Sequence, residues 1–305
     1  MNIHPDLRLS FIIKPSGEFI YYDTTWRNLY DGLGCRLSCT GYIVNHILTP
    51  LAQRFKCHFL GCNRDNPMVT SQQTLDELEK LFPRFLFPSY SYGGIYKAPR
   101  NFKVPQSDTT AQYGIDYWYR FSKTFAAPYS QKIDKFFWRG AGRNKLRRVI
   151  AEKLLYRNDC DVKIYLPSGH PQETEYWAIN PPINQGVLTS KMVPIDDYFQ
   201  YKYNFIIDGH SIASACELCF ASGCTPINIG TWKYLLLYYA EPWVHYVPIS
   251  YDLSDLEENM DKAKSQGEKI ARAAYKLARQ ILTPTFLYKQ TAFNVEQALI
   301  ENNLI

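Results

Sequence analysis

YKYNFIIDGHSIASACELCFASGCTPINIGTWKYLLLYYAEPWVHYVP, residues 201–248, decides the fold. An apolar run, Asn204 to Ile207, ends in Asp208-Gly209. A small-residue segment, His210 to Cys216, opens a helical pattern, and after a Ser-Gly turn a second apolar run covers Thr225 to Ile229. Strand, Gly turn, helix, strand is the βαβ unit of a doubly wound sheet. Free backbone N–H groups and the positive end of the helix dipole meet at such a turn, so Asp208 to Ser214 reads as a phosphate site. The plainer alternative is a tight connection that binds nothing.

A second turn of this kind lies upstream, at Trp138-Arg139-Gly140-Ala141-Gly142-Arg143-Asn144. The pattern predicts a strand from Lys135 to Trp138, a glycine-opened turn, and a basic helix from Lys145 to about Tyr156. Arg139, Arg143, Lys145, Arg147 and Arg148 put five cations in ten residues. Phosphate binding needs close backbone approach and positive charge, and both are present. The alternative is a solvated basic helix face. In open α/β sheets ligands sit at the C-terminal ends of strands, where both turns fall.

Outward from these turns, strands and helices alternate. A hairpin is expected over 10–25, a helix over 41–54 interrupted by Pro50, a buried strand at Cys57–Cys62, a helix over 71–81 and a strand near Phe85–Pro88. Residues 88–110 and 168–190 read as long loops, and long irregular segments in compact domains are usually functional or mobile. Another strand is expected at Val162–Leu166. Residues 254–281 form a strong helical pattern, with Ser254 and Glu257 as a capping box and Gly267 as a break, and 285–300 form a last helix. The fold class is α/β, with two sheets joined near 112–134. The expected domains are 1–125, 126–284, and a C-terminal helix at 285–305 packing back on the first.

Composition narrows the function. At 305 residues the chain is long enough for about two domains, and 46% hydrophobic with 21% charged residues suits a globular core. A net charge of +5 suits an anionic small ligand and gives little support to nucleic-acid binding. The 24 tyrosines would suit carbohydrate, which packs its apolar face on rings. No apolar run is long enough to span a membrane, and the first residues do not read as a signal peptide, so a cytoplasmic location is expected. The eight cysteines then read as free thiols, and the Cys216-x-x-Cys219 pair, in a predicted helix, as buried packing.

The six histidines show no zinc spacing, and there is no GxSxG elbow, Walker loop or DxD pair placed for a metal-bound nucleotide. Asp65, beside Arg64 in a polar turn after a buried strand, is a candidate carboxylate, although an Asx-turn explains it on local grounds.

WRGAGRNKLRR, YKYNFIIDGHSIAS, FASGC and EPWVHYVPISYDLSDL, in that order and spacing, resemble glycosyltransferase family 90. That family includes Rumi-type protein O-glucosyltransferases, capsule xylosyltransferases and bacterial lipopolysaccharide-modifying enzymes. CRLSCTGYIVNHIL and CHFLGCNRDNP extend the likeness upstream, to roughly residues 35–300. The resemblance implies a GT-B-like fold of two Rossmann-like domains facing a cleft. It implies inverting transfer without a metal or other cofactor, from a UDP-sugar carrying glucose or xylose, to a glycan, glycolipid or protein acceptor. Asp65 matches the catalytic base. Donor-binding positions carried over are Arg139, Gly140, Arg143, Arg147, Pro194, Ile195, Asp208, Gly209, His210, Ser211 and Ser214, and Arg64, Ser91 and Tyr92 are acceptor-side candidates. No nucleic-acid partner or membrane span is implied. Ala215 stands where the family usually has an Arg, and the loop at 91–107 departs from the family pattern. A non-catalytic binder of nucleotide or sugar is therefore the second reading, and a nucleic-acid binder using 139–148 the third. Without a signal sequence, a bacterial or large-DNA-virus protein fits better than a secretory-pathway one.

Overall fold

The computed structural model describes residues 11–21, 42–61, 72–89, 92–93, 100–103, 127–142, 145–165, 184–189, 191, 193–208, 216–233 and 235–305. The chain divides into two compact units. The first comprises Met1–Tyr117, Trp232–Tyr238 and Ile281–Ile305, and the second Trp118–Thr231 and Tyr239–Gln280.

The first unit begins with the expected hairpin, β1 (Phe11–Ile13) and β2 (Phe19–Tyr21), paired antiparallel. Gly17 takes φ +89° in the connecting turn, a conformation that favours glycine. A π-helical turn, Ile43–Leu48, runs without a break into α1 (Thr49–Phe55). Pro50 does not interrupt it, because it falls in the first turn of the α segment, where a missing N–H is tolerated. β3 (His58–Gly61) then pairs antiparallel with β1. α2 (Gln72–Leu81) crosses to β4 (Phe85–Ser89), parallel to β3. β5 (Tyr92–Gly93) follows, and β6 (Asn101–Lys103) adds parallel to β4, giving the order β2-β1-β3-β4-β6. Successive strand residues face opposite sides. Phe11, Ile13, Phe59 and Leu86 accordingly join one core, and Ile12, Leu60, Phe85 and Phe87 the other. Both faces are buried, which is why these strands read as unbroken apolar runs.

The second unit is the doubly wound sheet predicted from residues 201–229. β7 (Ile133–Ala141) is followed by α3 (Lys145–Lys153), β8 (Cys160–Tyr165) and β9 (Leu188–Thr189). The short helix α4 (Ile195–Tyr198) leads into β10 (Tyr201–Ile207), and α5 (Cys216–Ala221) into β11 (Thr225–Ile229). The chain then makes an excursion. β12 (Trp232–Lys233) pairs antiparallel with β5 and counts with the first unit before β13 (Val247–Ile249) returns to pair with β11. The sheet order is β13-β11-β10-β7-β8-β9, all parallel. Counted from β7 this is the 3-2-1-4-5-6 order, with its reversal between β7 and β10.

α6 (Leu256–Ile281) packs Met260, Ala263 and Ile270 into this core. Gly267 does not break it. The helix is continuous, and the glycine makes room for the Tyr129 hydroxyl, while its carbonyl accepts from Thr225 Oγ1 at 2.9 Å. Nor does the predicted capping box form: Ser254 lies ahead of the helix and its hydroxyl donates to Asp252 at 2.8 Å. α7 (Pro284–Glu301), capped by Thr283 accepting from Phe286 N, returns to the first unit and buries Val295 and Leu299 in its core. No helix among the described residues is long and apolar enough to cross a membrane.

The Glu241–Tyr246 segment leading into β13 is a self-bonded turn. Trp243 takes φ +62° and donates its N–H to Tyr246 O at 2.7 Å, and Lys262 Nζ lies 3.8 Å from the Trp243 ring centroid. His245 Nδ1 accepts from Glu241 N at 3.0 Å, which requires a neutral imidazole. Burial lowers the His245 pKa, against a smaller upward pull from Glu241. A group whose folded pKa lies below its unfolded value contributes fully above the unfolded pKa, about 6.5 for His, and loses that contribution as pH falls from there through the folded pKa. Urea unfolding should therefore show a steeper loss of stability from about pH 7 to about pH 5.5 in wild type than in His245→Asn. Parallel slopes would remove His245 from this role.

Candidate active site at the sheet reversal

β7 pairs with β8 along its length, through Arg139↔Lys163, Gly140↔Ile164 and Ala141↔Tyr165. The strand predicted to end at Trp138 thus runs to Ala141, and Arg139-Gly140-Ala141 is ladder rather than turn. Gly140 is needed for packing, since a Cβ there would meet the Trp138 ring at 2.5 Å. On its other side β7 pairs with β10 only as far as Phe137↔Asn204. Beyond that, β7 stays with β8 and β10 stays with β11. The sheet opens at its reversal point, the usual ligand crevice of such folds.

Arg147, on α3, spans this opening. Its Nη1 donates to Ala141 O at the end of β7 at 2.9 Å, its Nη2 to Ile207 O at the end of β10 at 2.9 Å, and its Nε to Asp208 O at 3.0 Å. The guanidinium lies 5.4 Å from the Trp138 ring centroid.

Asp208 is buried, and its Oδ2 accepts from Thr231 N at 2.7 Å. Its carboxylate occupies the space a Cβ on Gly230 would need. Asp208 thus joins the end of β10 to the exit of β11 by its side chain and to α3 by its carbonyl. Nothing in the local sequence marks Thr231 as its partner, beyond the glycine before it.

Arg139 pairs with Asp161, Nη2 to Oδ1 at 2.6 Å, and also donates to Asp161 O at 2.8 Å and Trp138 O at 3.0 Å. Its backbone N–H donates to the buried Tyr198 hydroxyl at 2.9 Å. Burial raises the pKa of that phenol, more than Arg139 lowers it. Arg148 pairs with Glu152 at 3.3 Å. Much of the basic cluster's charge is therefore engaged inside the unit. Arg139 and Asp161 also line a polar depression of about 170 Å³ with Asp197, inside the 194–198 stretch that the resemblance assigns to the nucleotide base, and with Lys191, Gln200 and Tyr201, which the sequence did not single out for binding. Pro194 is exposed beside it in sequence, and the backbone of Ile195 starts α4.

Residues 82–291 match the family described as glycosyl transferase family 90. The chain belongs to that family. It is 31% identical over 155 residues to zebrafish (Danio rerio) protein O-glucosyltransferase 2, covering 50% of this chain and 29% of that one. It is 36% identical over 103 residues to human protein O-glucosyltransferase 3, covering 32% of this chain and 20% of that one. The chain thus matches less than a third of the length of either relative. Among solved structures, Anabaena HepE in complex with UDP and glucose aligns over 90% of both chains at 9% identity, with a TM-score of 0.44.

Two α/β units with parallel strands are what the GT-B class requires of a family 90 chain, taken unit by unit. The matched residues include the sheet opening and the Glu241–Tyr246 turn but begin after Asp65. Arg64, Asp65, Ser91, Arg143, Gly209, His210, Ser211, Ser214 and Ala215 lie outside the described residues, and Tyr92 is described only as backbone in β5. Cys216 and Cys219 are buried free thiols, and burial raises the pKa of Cys219.

Gly230→Ala should destabilise the protein by about 1–3 kcal/mol, because the added methyl must displace a buried, hydrogen-bonded carboxylate. Urea unfolding measures this, and an unchanged midpoint would contradict the packing at Asp208.

Proposed function

We propose that this family 90 chain is an inverting, metal-independent glycosyltransferase that moves glucose or xylose from a UDP-sugar to a hydroxyl of a glycan, glycolipid or protein acceptor. The observation that carries the reading is the opening of the second sheet between β7 and β10, with a guanidinium at its base. Such a crevice suits a dinegative pyrophosphate, and family membership supplies the chemistry to expect there.

In this reading Asp65 takes the proton from the acceptor hydroxyl as its oxygen attacks the anomeric carbon, and Arg64 beside it keeps the carboxylate ionised. The bond to the UDP oxygen breaks on the opposite face. Charge on the departing UDP is met by backbone N–H groups near Gly140 and Gly209, by the Ser211 and Ser214 hydroxyls, and by Arg143, with Arg147 adding positive potential. Arg139, paired to Asp161, contributes less than its place in the sequence suggested. Ala215, in place of the family's Arg, favours a second reading as a non-catalytic member that binds nucleotide or sugar without turnover.

Asp65→Asn should slow transfer by about 10²–10⁴-fold while UDP affinity stays within about twofold of wild type. Radiolabelled transfer from a panel of UDP-sugars, with calorimetry of UDP alongside, measures both. Wild-type rates from the variant would take the base role away from Asp65. UDP binding by wild type with no transfer from any donor would favour the second reading.

A further inference from the structure

We infer that Arg147 is a positioning residue of the donor crevice, holding the two strand ends that flank it at a fixed spacing, rather than a direct ligand of the pyrophosphate. The inference rests on the UDP-sugar reading above.

Ladder hydrogen bonds fix neighbouring strands, and between β7 and β10 they stop at Phe137↔Asn204. Each strand continues for three or four residues held only by its outer neighbour. The strand that follows β7 in the chain, β8, and the strand that follows β10, β11, lie on opposite sides of this gap. The ends of β7 and β10 would therefore be free to drift apart just where a ligand has to touch both. Arg147 closes that freedom by donating across the gap to Ala141 O on one side and to Ile207 O and Asp208 O on the other. A planar guanidinium offers several donors in fixed directions and can serve three acceptors on two strands, which a single ammonium on a flexible stem cannot.

Two further features hold the group in place. The buried Trp138 ring lies beneath it, and Gly140 leaves that ring its room. Asp208, whose carbonyl takes one of the three bonds, is itself fixed through its carboxylate to Thr231 N. The row of strand ends β7, β10 and β11 is thus linked by one cation and one anion. The charge of Arg147 remains near the crevice, while three of its N–H groups donate to the walls.

The test is UDP and UMP titration calorimetry on the full chain, with thermal unfolding of each variant. Arg147→Lys keeps the charge and removes the span, and Arg147→Met removes both. Each should weaken UDP and UMP by a similar factor of about ten or more, since misplaced walls affect every phosphate ligand. If Arg147→Lys binds UDP within about twofold of wild type while Arg147→Met does not, charge alone is at work and the inference fails. If the loss is confined to UDP and spares UMP, Arg147 is a direct ligand of the second phosphate and the inference also fails. Should both variants unfold, Gly140→Ala decides, because it pushes on Trp138 without removing the guanidinium. Weakening of UDP and UMP alike supports the positioning role, and unchanged affinity overturns it. Wild-type protein that binds no UDP would instead bring down the donor-site reading itself.

Discussion

A parallel sheet that reverses its winding direction must leave two adjacent strands with diverging ends. In the second unit those strands are β7 and β10, and the guanidinium of Arg147 is the tie between them. The surrounding sequence can be understood from that tie. Gly140 is small so that Trp138 can lie under the guanidinium, and Gly230 is small so that Asp208, which receives one of its bonds, can bury its carboxylate. The crevice is shaped by glycines and charges that look, in the sequence, like ligand-binding groups.

That similarity sets how far the sequence could be read. The strands and their order along the chain were legible, because an apolar run buried on both faces is hard to mistake, and β10, α5 and β11 follow one another as the pattern of residues 201–229 predicts. The end of β7 was not legible. Arg and Gly after a strand suggest a turn, whereas here Arg139 finds Asp161 on the next strand and Gly140 serves a ring two residues back. Gly267 misled for the same reason: its purpose is the Tyr129 hydroxyl, which no local pattern reveals.

The site was legible as a place and less so as a set of roles. The ends of β7 and β10, from which the two candidate turns lead, do flank the reversal point. The partners of their charged residues are distant in sequence, with Asp208 meeting Thr231 and Arg147 meeting Ile207, and only the tertiary structure brings them together. The Glu241–Tyr246 segment, part of the EPWVHYVPISYDLSDL stretch that carries the family resemblance, forms its own turn, with a left-handed Trp243 and a neutral His245 bonded to the backbone.

The excursion through Trp232–Tyr238 and the return of α7 mean that neither unit is a continuous piece of chain. During synthesis Phe11, Phe59 and Leu86 are made well before Val295 and Leu299, which share their core, and the second unit is made in between. Until then Phe11, Phe59 and Leu86 lack part of their cover. The interleaving leaves apolar surface uncovered while the second unit is made, and no single cut in the chain separates the two units.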